Sequence, residues 1–392
     1  MAQTTNITPA QSRWTSLARG RQRRAGEWVA EKMIYLTSFS AIVMIFLIFF
    51  FVAREALPVA LGHTNTANAT EVIPPDQMDK IPPERLRAYL GMTPEEFKAK
   101  DKETLQLLME VKVEASKEQS NDKDSGLNTS RWRYLFGPHQ WTGYDKPAYI
   151  WQPVSGVRKF NIVPLLIGSL KTTAVALLFS VPLALGAAIY VSQLAHRRVR
   201  EIVKPGIELL AGIPSVVLGF FALLVMATFF QNIFHYQSRL NAFTAGIALG
   251  LAVIPVVFSI AEDALTSVPR SYVQAALAVG SSKWQAAWNI VLPAALPGVF
   301  AAIILGFGRA VGETMIVLMA SGNASIVSGS LFDSTRSITA TIAAELNETV
   351  FGGPHYRILF LIGALLFIIT FISNLAGEIV MHRLKGRLEG RA

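Results

Sequence analysis

The sequence predicts an all-α integral membrane protein with six transmembrane helices and a mainly helical periplasmic insertion between the first two. Of its 392 residues, 52% are hydrophobic and only 16% are charged, and the formal net charge is +9. Six segments each contain the roughly 20 mostly apolar residues that a helix needs to cross the hydrocarbon core. The short flanks of these segments are basic on one side of the membrane, which is typical of cytoplasmic loops.

The first predicted span, residues 33–53, follows a basic N-terminus, 1–32. Its apolar stretch is longer than the roughly 7 to 15 residues of a signal peptide, and no clear small-residue cleavage site follows it. We therefore expect a retained helix. The six predicted spans are Met33–Ala53, Val163–Val191, Ile207–Phe230, Ala242–Ala261, Leu296–Ala320 and Ile358–Met381.

Arginine and lysine residues predict the orientation of these spans, because they accumulate in short cytoplasmic flanks. With six spans, every basic cluster falls on one side, so both termini, including the basic tail 383–392, are predicted to be cytoplasmic. The contacts expected for these residues are with anionic lipid and not with nucleic acid. The clusters are Arg13, Arg19, Arg21, Arg23, Arg24 and Lys32; Arg197, Arg198, Arg200 and Lys204; Arg270 and Lys283; and Arg383, Lys385, Arg387 and Arg391.

The predicted insertion covers residues 54–161. A charge-rich helix is expected from Thr93 to Gln119, because Thr93 is a good N-cap and Pro94 suits the first helical position. A flexible linker is expected at 121–130. The aromatic residues that follow are interpreted as a membrane-interface belt, with a cap over a transport path or a receptor docking site as alternatives. They are Trp132, Tyr134, Phe136, Trp141, Tyr144, Tyr149 and Trp151.

A moderately polar segment, 271–293, separates the fourth and fifth predicted spans. Two capping boxes are predicted, Ser271 with Gln274 and Ser282 with Gln285. In a capping box, a serine and the residue three positions later satisfy the free N–H groups of a helix start. Gly280 lies between them and suits a left-handed turn. The pattern predicts two short helices that dock on a cytosolic partner.

Arg309 lies near the middle of the fifth predicted span, and Glu313 follows four residues later. An arginine at mid-depth costs at least about 2.5 kcal/mol. A plain ion pair would contribute only about 0.5 kcal/mol, so we interpret Arg309 as a donor to an anion that passes through the membrane. Glu313 is then its partner when no anion is bound.

Prolines occur inside three neighbouring predicted spans, at Pro182, Pro214 and Pro255, and favour kinked helices around a cavity. Ser215 follows one of them and Thr314 follows Glu313. The predicted substrate path therefore comprises Arg309, Glu313, Thr314 and Ser215.

The glycines near Arg309 match no nucleotide-binding loop, because no Walker lysine follows them. The chain contains no cysteine, and no catalytic set or zinc-ligand spacing is recognisable. We therefore expect no catalytic residues, no metal and no cofactor in this chain. If ATP drives its function, a partner must bind the nucleotide.

The docking segment resembles the EAA signature of bacterial ABC importer permeases, which binds the ATPase subunit. The resemblance implies ATPase coupling and the type I importer permease fold, with Gln274 replacing the usual glutamate. The residues that carry it are Gln274, Ala275, Ala276, Gly280, Ile290, Leu292 and Pro293.

A narrower resemblance is to the PstC-type permeases of phosphate importers. It rests on GIPSVVLG at 212–219, GRAVGETM at 308–315 and SITATIAAEL at 337–346. It implies phosphate as substrate, a PstA-like second permease subunit, two PstB-like ATPase subunits and a PstS-like periplasmic binding protein. The alternatives are a permease for another oxyanion, such as sulfate or molybdate, and a membrane sensor or scaffold without flux.

Overall fold

Six helices of the structure, a computed structural model, are long and apolar enough to cross a membrane, as the sequence predicts. The residues described are 25–64, 83–90, 92, 97, 99–120, 124 and 127–388. Most of the predicted basic N-terminus, the last four residues of the tail and the predicted helix-start residues Thr93 and Pro94 lie outside them. The chain divides into two units, Met1–Val52 and Ala53–Ala392.

The first helix, α1, covers Ala25–Ala60 and is longer at both ends than the predicted span. The segment after it contains α2 (Pro83–Leu90), α3 (Lys102–Ser120) and α4 (Trp132–Phe136). The continuous helix expected from Thr93 to Gln119 is wrong at residues 99–101, which are not helical. Helix α3 begins after Asp101, whose carboxylate accepts a hydrogen bond from the Thr104 hydroxyl.

A short antiparallel hairpin, β1 (Trp151–Gln152) and β2 (Lys159–Phe160), ends this segment. The belt interpretation is wrong for Trp141 and Trp151, which are buried inside the protein. Trp151 packs edge-on against Phe160, and both join a core cluster with Leu135. A free linker is also not observed at 127–130, because the Ser130 hydroxyl donates to the backbone oxygen of Thr64 at 2.6 Å.

Five further apolar helices are described in the second unit and form its helical bundle. The second span is α5 (Val163–Ile189), which continues as a π-helical turn to Leu194. After α6 (Arg197–Ala211), the third span consists of α7 (Ser215–Phe221), a π-helical turn and α8 (Ala227–Phe234). The fourth span is α9 (Ala242–Thr266), followed by α10 (Arg270–Ala278).

The fifth span begins outside the apolar region. It starts as α11 (Lys283–Ala286), passes through a π-helical turn at Ala287–Val291 and continues as α12 (Leu292–Gly312). Two short helices follow, α13 (Met315–Ala320) and α14 (Ile338–Glu345), and the sixth span is α15 (Pro354–Leu388).

Helix α9 is the central element of the bundle and packs along α5 and α12. Its small residues permit this contact, since a Cβ on Gly246 would stand 2.5 Å from the Val175 side chain of α5. The largest core cluster collects side chains from α5, α9 and α12 and also from α7 and α13. A bundle with so many small residues is typical of membrane helices, whose backbones approach closely.

Two predicted spans differ from the structure because the helix is interrupted. The third was expected over Ile207–Phe230, with Pro214 inside it. In the structure, Ile207 belongs to α6, and Pro214 is the N-cap of α7. Proline lacks an N–H group and disfavours helical backbone at the residue before it, so the chain breaks here. The fifth was expected to be continuous to Ala320, but it ends at Gly312.

Helix α6 is held against the end of α9 by a buried carboxylate that the sequence analysis did not single out. Glu262 is fully buried, and its oxygens accept hydrogen bonds from Arg200 and from Lys204 at 2.6 Å. The hydrogen bond to Glu262 raises the pKa of the Lys204 ammonium. Val203 lies on the same helix and packs against the main core cluster. The basic residues of α6 therefore have a structural role in addition to any effect on topology.

Replacing Glu262 with Gln removes the charge that binds two cations and keeps the shape of the side chain. We expect the free energy of unfolding to fall by about 2 kcal/mol, measured by denaturant titration in detergent. Asp263→Asn is the matched control, since that neighbouring carboxylate is 75% exposed and lies 3.7 Å from Lys204. Its effect should stay below about 0.5 kcal/mol. Equal stability of the two variants would contradict the anchoring role.

Candidate functional site

Arg309 lies in the last turn of α12, and the helix ends three residues later. Glu313 has extended backbone angles and is the C-cap, so the pair is not on one continuous helical face as predicted. The two side chains nevertheless meet, with 3.9 Å between Arg309 Nη2 and Glu313 Oε2. That distance permits electrostatic attraction but is too long for a hydrogen bond.

The depth of Arg309 follows from helix packing. Gly306, one turn earlier on α12, lies against Val253 and Val257. These valines are in the middle of α9, the central span. Arg309 is therefore close to the mid-depth of the bundle, where a guanidinium needs water, an anion or a carboxylate near it.

The Glu313 carboxylate is buried and hydrogen-bonded, whereas the Arg309 guanidinium is half exposed. The Glu313 side chain is 8% exposed, whereas that of Arg309 is 47% exposed. Glu313 Oε1 accepts a hydrogen bond from the Thr314 backbone N–H at 3.3 Å, and the Glu313 backbone oxygen accepts one from Thr339 Oγ1 at 2.8 Å. Arg309 consequently has a guanidinium free to bind a ligand and a negative partner held beside it.

The guanidinium faces a cleft of about 500 Å³ between α12 and α15. Two polar side chains of α15 line this cleft with it, Thr370 and Asn374, and Gly308 and Gly312 lie on the α12 side. Sequence reasoning missed both polar residues of α15, as well as Thr339. A threonine and an asparagine four residues apart in an apolar span were the available signal, because i and i+4 share one helical face.

Ser215 begins α7, next to the break in the third span. Gly219, one turn later, packs on Met315 and Met319 of α13. This packing brings the break before Ser215 and the break before Met315 close together. No hydrogen bond connects Ser215 with the other three predicted path residues within the described part of the chain. Its place in the path remains a prediction.

The docking segment has a different start from the one predicted. Helix α10 begins at Arg270 with Pro269 as N-cap, so the capping box that pairs Ser271 with Gln274 is wrong. The box at Ser282 is present, with both hydrogen bonds to Gln285 formed. Gly280 has φ of +91°, the left-handed conformation expected of a turn between two helices.

The predicted coupling residues occupy two environments on this segment. Gln274, Ala275, Gly280 and Pro293 are exposed, Ile290 and Leu292 are partly buried, and Ala276 is buried. Trp284 and Trp288 were not predicted to take part, but they stack with centroids 6.0 Å apart and each stays half exposed. The exposed aromatic pair gives the segment the character of a docking surface.

The second docking helix is continuous with the fifth span. A single helical run extends over Lys283–Gly312, whereas the sequence analysis placed a separate short helix before a span that starts at Leu296. Arg309 therefore lies near one end of a helix whose other end carries the exposed tryptophans. One helical run therefore connects the docking segment with the cleft.

Because the chain contains no cysteine, a single introduced thiol can report whether the cleft holds water. We expect Asn374→Cys, on the cleft face of α15, to react with a charged, water-soluble thiol reagent. Ile372→Cys is the control, because it lies on another face of the same helix and is also exposed in the isolated chain. The cleft position should react at least about tenfold faster, since only a hydrated thiol ionises. Equal rates would contradict a hydrated cleft.

Comparison with known proteins gives a family for this arrangement. A family model described as "Binding-protein-dependent transport system inner membrane component" matches residues 180–389, more than half of the chain. A probable ABC transporter permease protein YqgH of Bacillus subtilis is 32% identical over 60% of this chain and 76% of its own length. The residues between α1 and α5 lie outside the matched region.

Two relatives carry a more specific description. The phosphate transport system permease protein PstC of Mesorhizobium japonicum is 34% identical over 60% of this chain and 77% of its own length. The PstC protein of Pasteurella multocida is 33% identical over 62% of this chain and 80% of its own length.

Among solved structures, an inward-facing MetNI methionine ABC transporter chain covers 57% of this chain at 18% identity, with 94% of that chain covered and a TM-score of 0.44. A bacterial alginate ABC transporter chain covers 56% at 15% identity, with 79% of that chain covered and a TM-score of 0.44. The sequence matches, at 32 to 34% identity, decide the assignment. This multi-pass inner-membrane chain is a permease subunit of an ABC importer and belongs to the family of binding-protein-dependent transport system inner membrane components.

Proposed function

We propose that this chain is the PstC-type permease subunit of an ATP-driven phosphate importer, in which it forms half of the translocation path. The observation that carries the proposal is the identity of about a third with two PstC proteins, over 77% and 80% of their length. The geometry agrees with an anionic substrate, because a half-exposed arginine lies at mid-depth beside a cleft lined with polar side chains.

The partners follow from the same assignment. A PstA-like second permease subunit completes the path, two PstB-like ATPase subunits bind below, and a PstS-like periplasmic protein delivers phosphate. ATP and Mg²⁺ act on the ATPase subunits. Both termini and the segment 271–293 face the cytoplasm in this arrangement, and the insertion between α1 and α5 faces the periplasm.

Coupling depends on the continuous helix that joins α11 to α12. The ATPase dimer closes when it binds ATP and moves the docking helices with it. Since α11 and α12 form one run, this movement reaches Arg309 without an intervening loop. The access to the central site then alternates between the two sides, with the site itself near mid-depth.

Arg309 binds the phosphate oxygens in this mechanism. A guanidinium presents two parallel N–H donors that match two oxygens of an anion. Glu313, held 3.9 Å away, neutralises the arginine between transport cycles. Thr314 and Ser215, which lie next to the two helix breaks, contribute their hydroxyl groups to the same path in this mechanism.

Replacing Arg309 with Ala tests this assignment. Loss of a charged hydrogen-bonding group costs about 3 kcal/mol, so we expect phosphate uptake into vesicles to fall by a factor of about 100. Assembly of the complex should not change, because the Arg309 side chain forms no hydrogen bond with the residues that the structure describes and its contact with Glu313 is long, at 3.9 Å. Arg239→Ala, at an exposed arginine on a loop, is the control and should transport normally. Normal uptake by the Arg309 variant would disprove the role.

The choice of anion needs a separate measurement. A guanidinium can bind the oxygens of sulfate or molybdate as well as those of phosphate, so the cleft alone does not distinguish these anions. Uptake of labelled phosphate in the presence of a hundredfold excess, roughly, of sulfate or molybdate separates the two cases. We expect neither anion to compete. Strong competition by sulfate or molybdate would indicate that the competing oxyanion, and not phosphate, is the substrate.

Gly280 is the position at which coupling can be tested without touching the path. A β-branched residue is strongly disfavoured at a φ of +91°. We therefore expect Gly280→Val to disturb the turn between the docking helices and to lower the uptake per ATP hydrolysed, by about tenfold. Gly206→Val is the control, since no atom lies within 4 Å of its added Cβ and its φ is ordinary. An unchanged ratio in the Gly280 variant would refute the coupling role.

A further inference from the structure

One buried carboxylate on the side of the bundle that carries the hairpin connects three separate segments. Glu345, the last residue of α14, has a side chain that is 10% exposed. Its oxygens accept hydrogen bonds from Trp151 Nε1 at 3.1 and 3.2 Å and from Arg336 Nη1 at 2.8 Å. The Nε2 atom of His355 lies 2.9 Å from Glu345 Oε2. These partners come from the hairpin, from the loop before α14 and from the first turn of α15.

The opposite end of α14 is also fixed. Ser337 caps the helix by accepting a hydrogen bond from the Ala340 N–H. The Ile338 N–H donates to Ser169 Oγ of α5 at 2.9 Å. Thr339 Oγ1 donates to the Glu313 backbone oxygen at 2.8 Å. Helix α14 has only eight residues, so about 12 Å separate its two fixed ends.

A helix this short behaves as a rigid element, because each end is tied to defined atoms and its first half is buried. Ile338, Thr339, Ala340 and Thr341 are all buried. A shift of the hairpin at Trp151 displaces Glu345 and, through α14, the hydrogen bond on the Glu313 backbone. Glu313 is the residue that faces Arg309 at the break of the fifth span.

We propose that Glu345 is a positioning residue that couples the hairpin β1–β2 to the Arg309–Glu313 pair through α14. The proposal rests on the proposed function insofar as the hairpin faces the side from which the binding protein delivers its anion. The partner that this coupling requires is a protein that displaces the hairpin when it docks. The carboxylate itself touches no substrate.

The first experiment reads the geometry alone and needs no assumption about the substrate. In the assembled complex, Thr314→Cys provides one thiol next to Glu313 in a chain that contains no other. Adding Glu345→Gln should raise its rate of modification by a water-soluble thiol reagent by about tenfold. Adding Glu348→Gln, at an exposed glutamate three residues later, should leave the rate unchanged. Equal rates in the two backgrounds would overturn the coupling.

The second experiment reads the consequence for transport, in the complete complex with its binding protein. We expect Glu345→Gln to reduce the stimulation of ATP hydrolysis by loaded binding protein about tenfold, with the basal hydrolysis rate unchanged. If Glu345 had a purely structural role, the substitution would change the basal and the stimulated rate of ATP hydrolysis together. Trp151→Phe removes a single hydrogen-bond donor to the same carboxylate and should give a smaller change of the same kind. This variant is measured instead if the complex with Glu345→Gln does not assemble.

A double variant decides whether the two ends of α14 act together. Thr339→Val removes the hydroxyl that binds the Glu313 backbone and should by itself reduce stimulation about tenfold. If both ends belong to one coupling, the combination with Glu345→Gln is no worse than either single change. Independent effects would multiply to about 100-fold and would overturn the proposal. If the unmodified complex transports no phosphate, the proposed function fails, and the thiol measurement still decides the coupling.

Discussion

The hydrogen bond from Thr339 to the Glu313 backbone is the interaction on which the central site depends. A helix that is interrupted in a membrane leaves N–H and C=O groups without partners, and hydrocarbon offers them none. Here a hydroxyl from α14 satisfies the freed carbonyl group, and the Glu313 carboxylate accepts from the Thr314 N–H. The fifth span can therefore break at mid-depth, and the break directs Glu313 inward while Arg309 stays on the helix.

The remaining architecture positions these two elements. The central helix α9 fixes the level of α12 through contacts that only small residues allow, as at Gly306. Helix α14 is fixed at its far end by Glu345, which accepts hydrogen bonds from Trp151 and Arg336. The loop-rich part of the chain thus controls the same break that the membrane helices create. The contacts of Thr339 and Glu345 are made by polar side chains that have their partners before the substrate arrives.

Much of this could be predicted from local pattern, and the rest depends on tertiary contacts. Apolar length alone gave the six spans, and the capping box at Ser282 and the left-handed Gly280 follow from the chemistry of helix ends. The pairing of Arg309 with Glu313 was expected from spacing, but the helix end between them was not, because Thr339 lies 26 residues away. Partners that are so distant along the chain leave no periodic pattern in the sequence from which the helix end could be predicted.

The dependence on tertiary contacts also explains the other differences between the expectations from sequence and the structure. Ser271 has the spacing of a capping box, yet Pro269 precedes it and starts α10 two residues earlier than a serine cap would. The roles of Glu262 and Trp151 were missed because a buried carboxylate and a buried indole look like surface residues until their partners are known. The interpretation of the tryptophans as a belt used composition only. It is wrong at Trp151, where the indole N–H is consumed by a carboxylate.

The anchor at Glu262 and the break before Ser215 separate α6 from the third span, and the two are packed differently. Helix α6 is bound to α9 by Arg200 and Lys204, while α7 packs against α13, on the far side of the fifth-span break. The joint between them, at 212–214, contains a glycine and a proline and no helical hydrogen-bond ladder. A gate that opens toward one side can therefore bend at this joint and leave both interfaces intact. The charged helix α6 and the apolar helix α7 at the start of the third span would then rotate about a common joint.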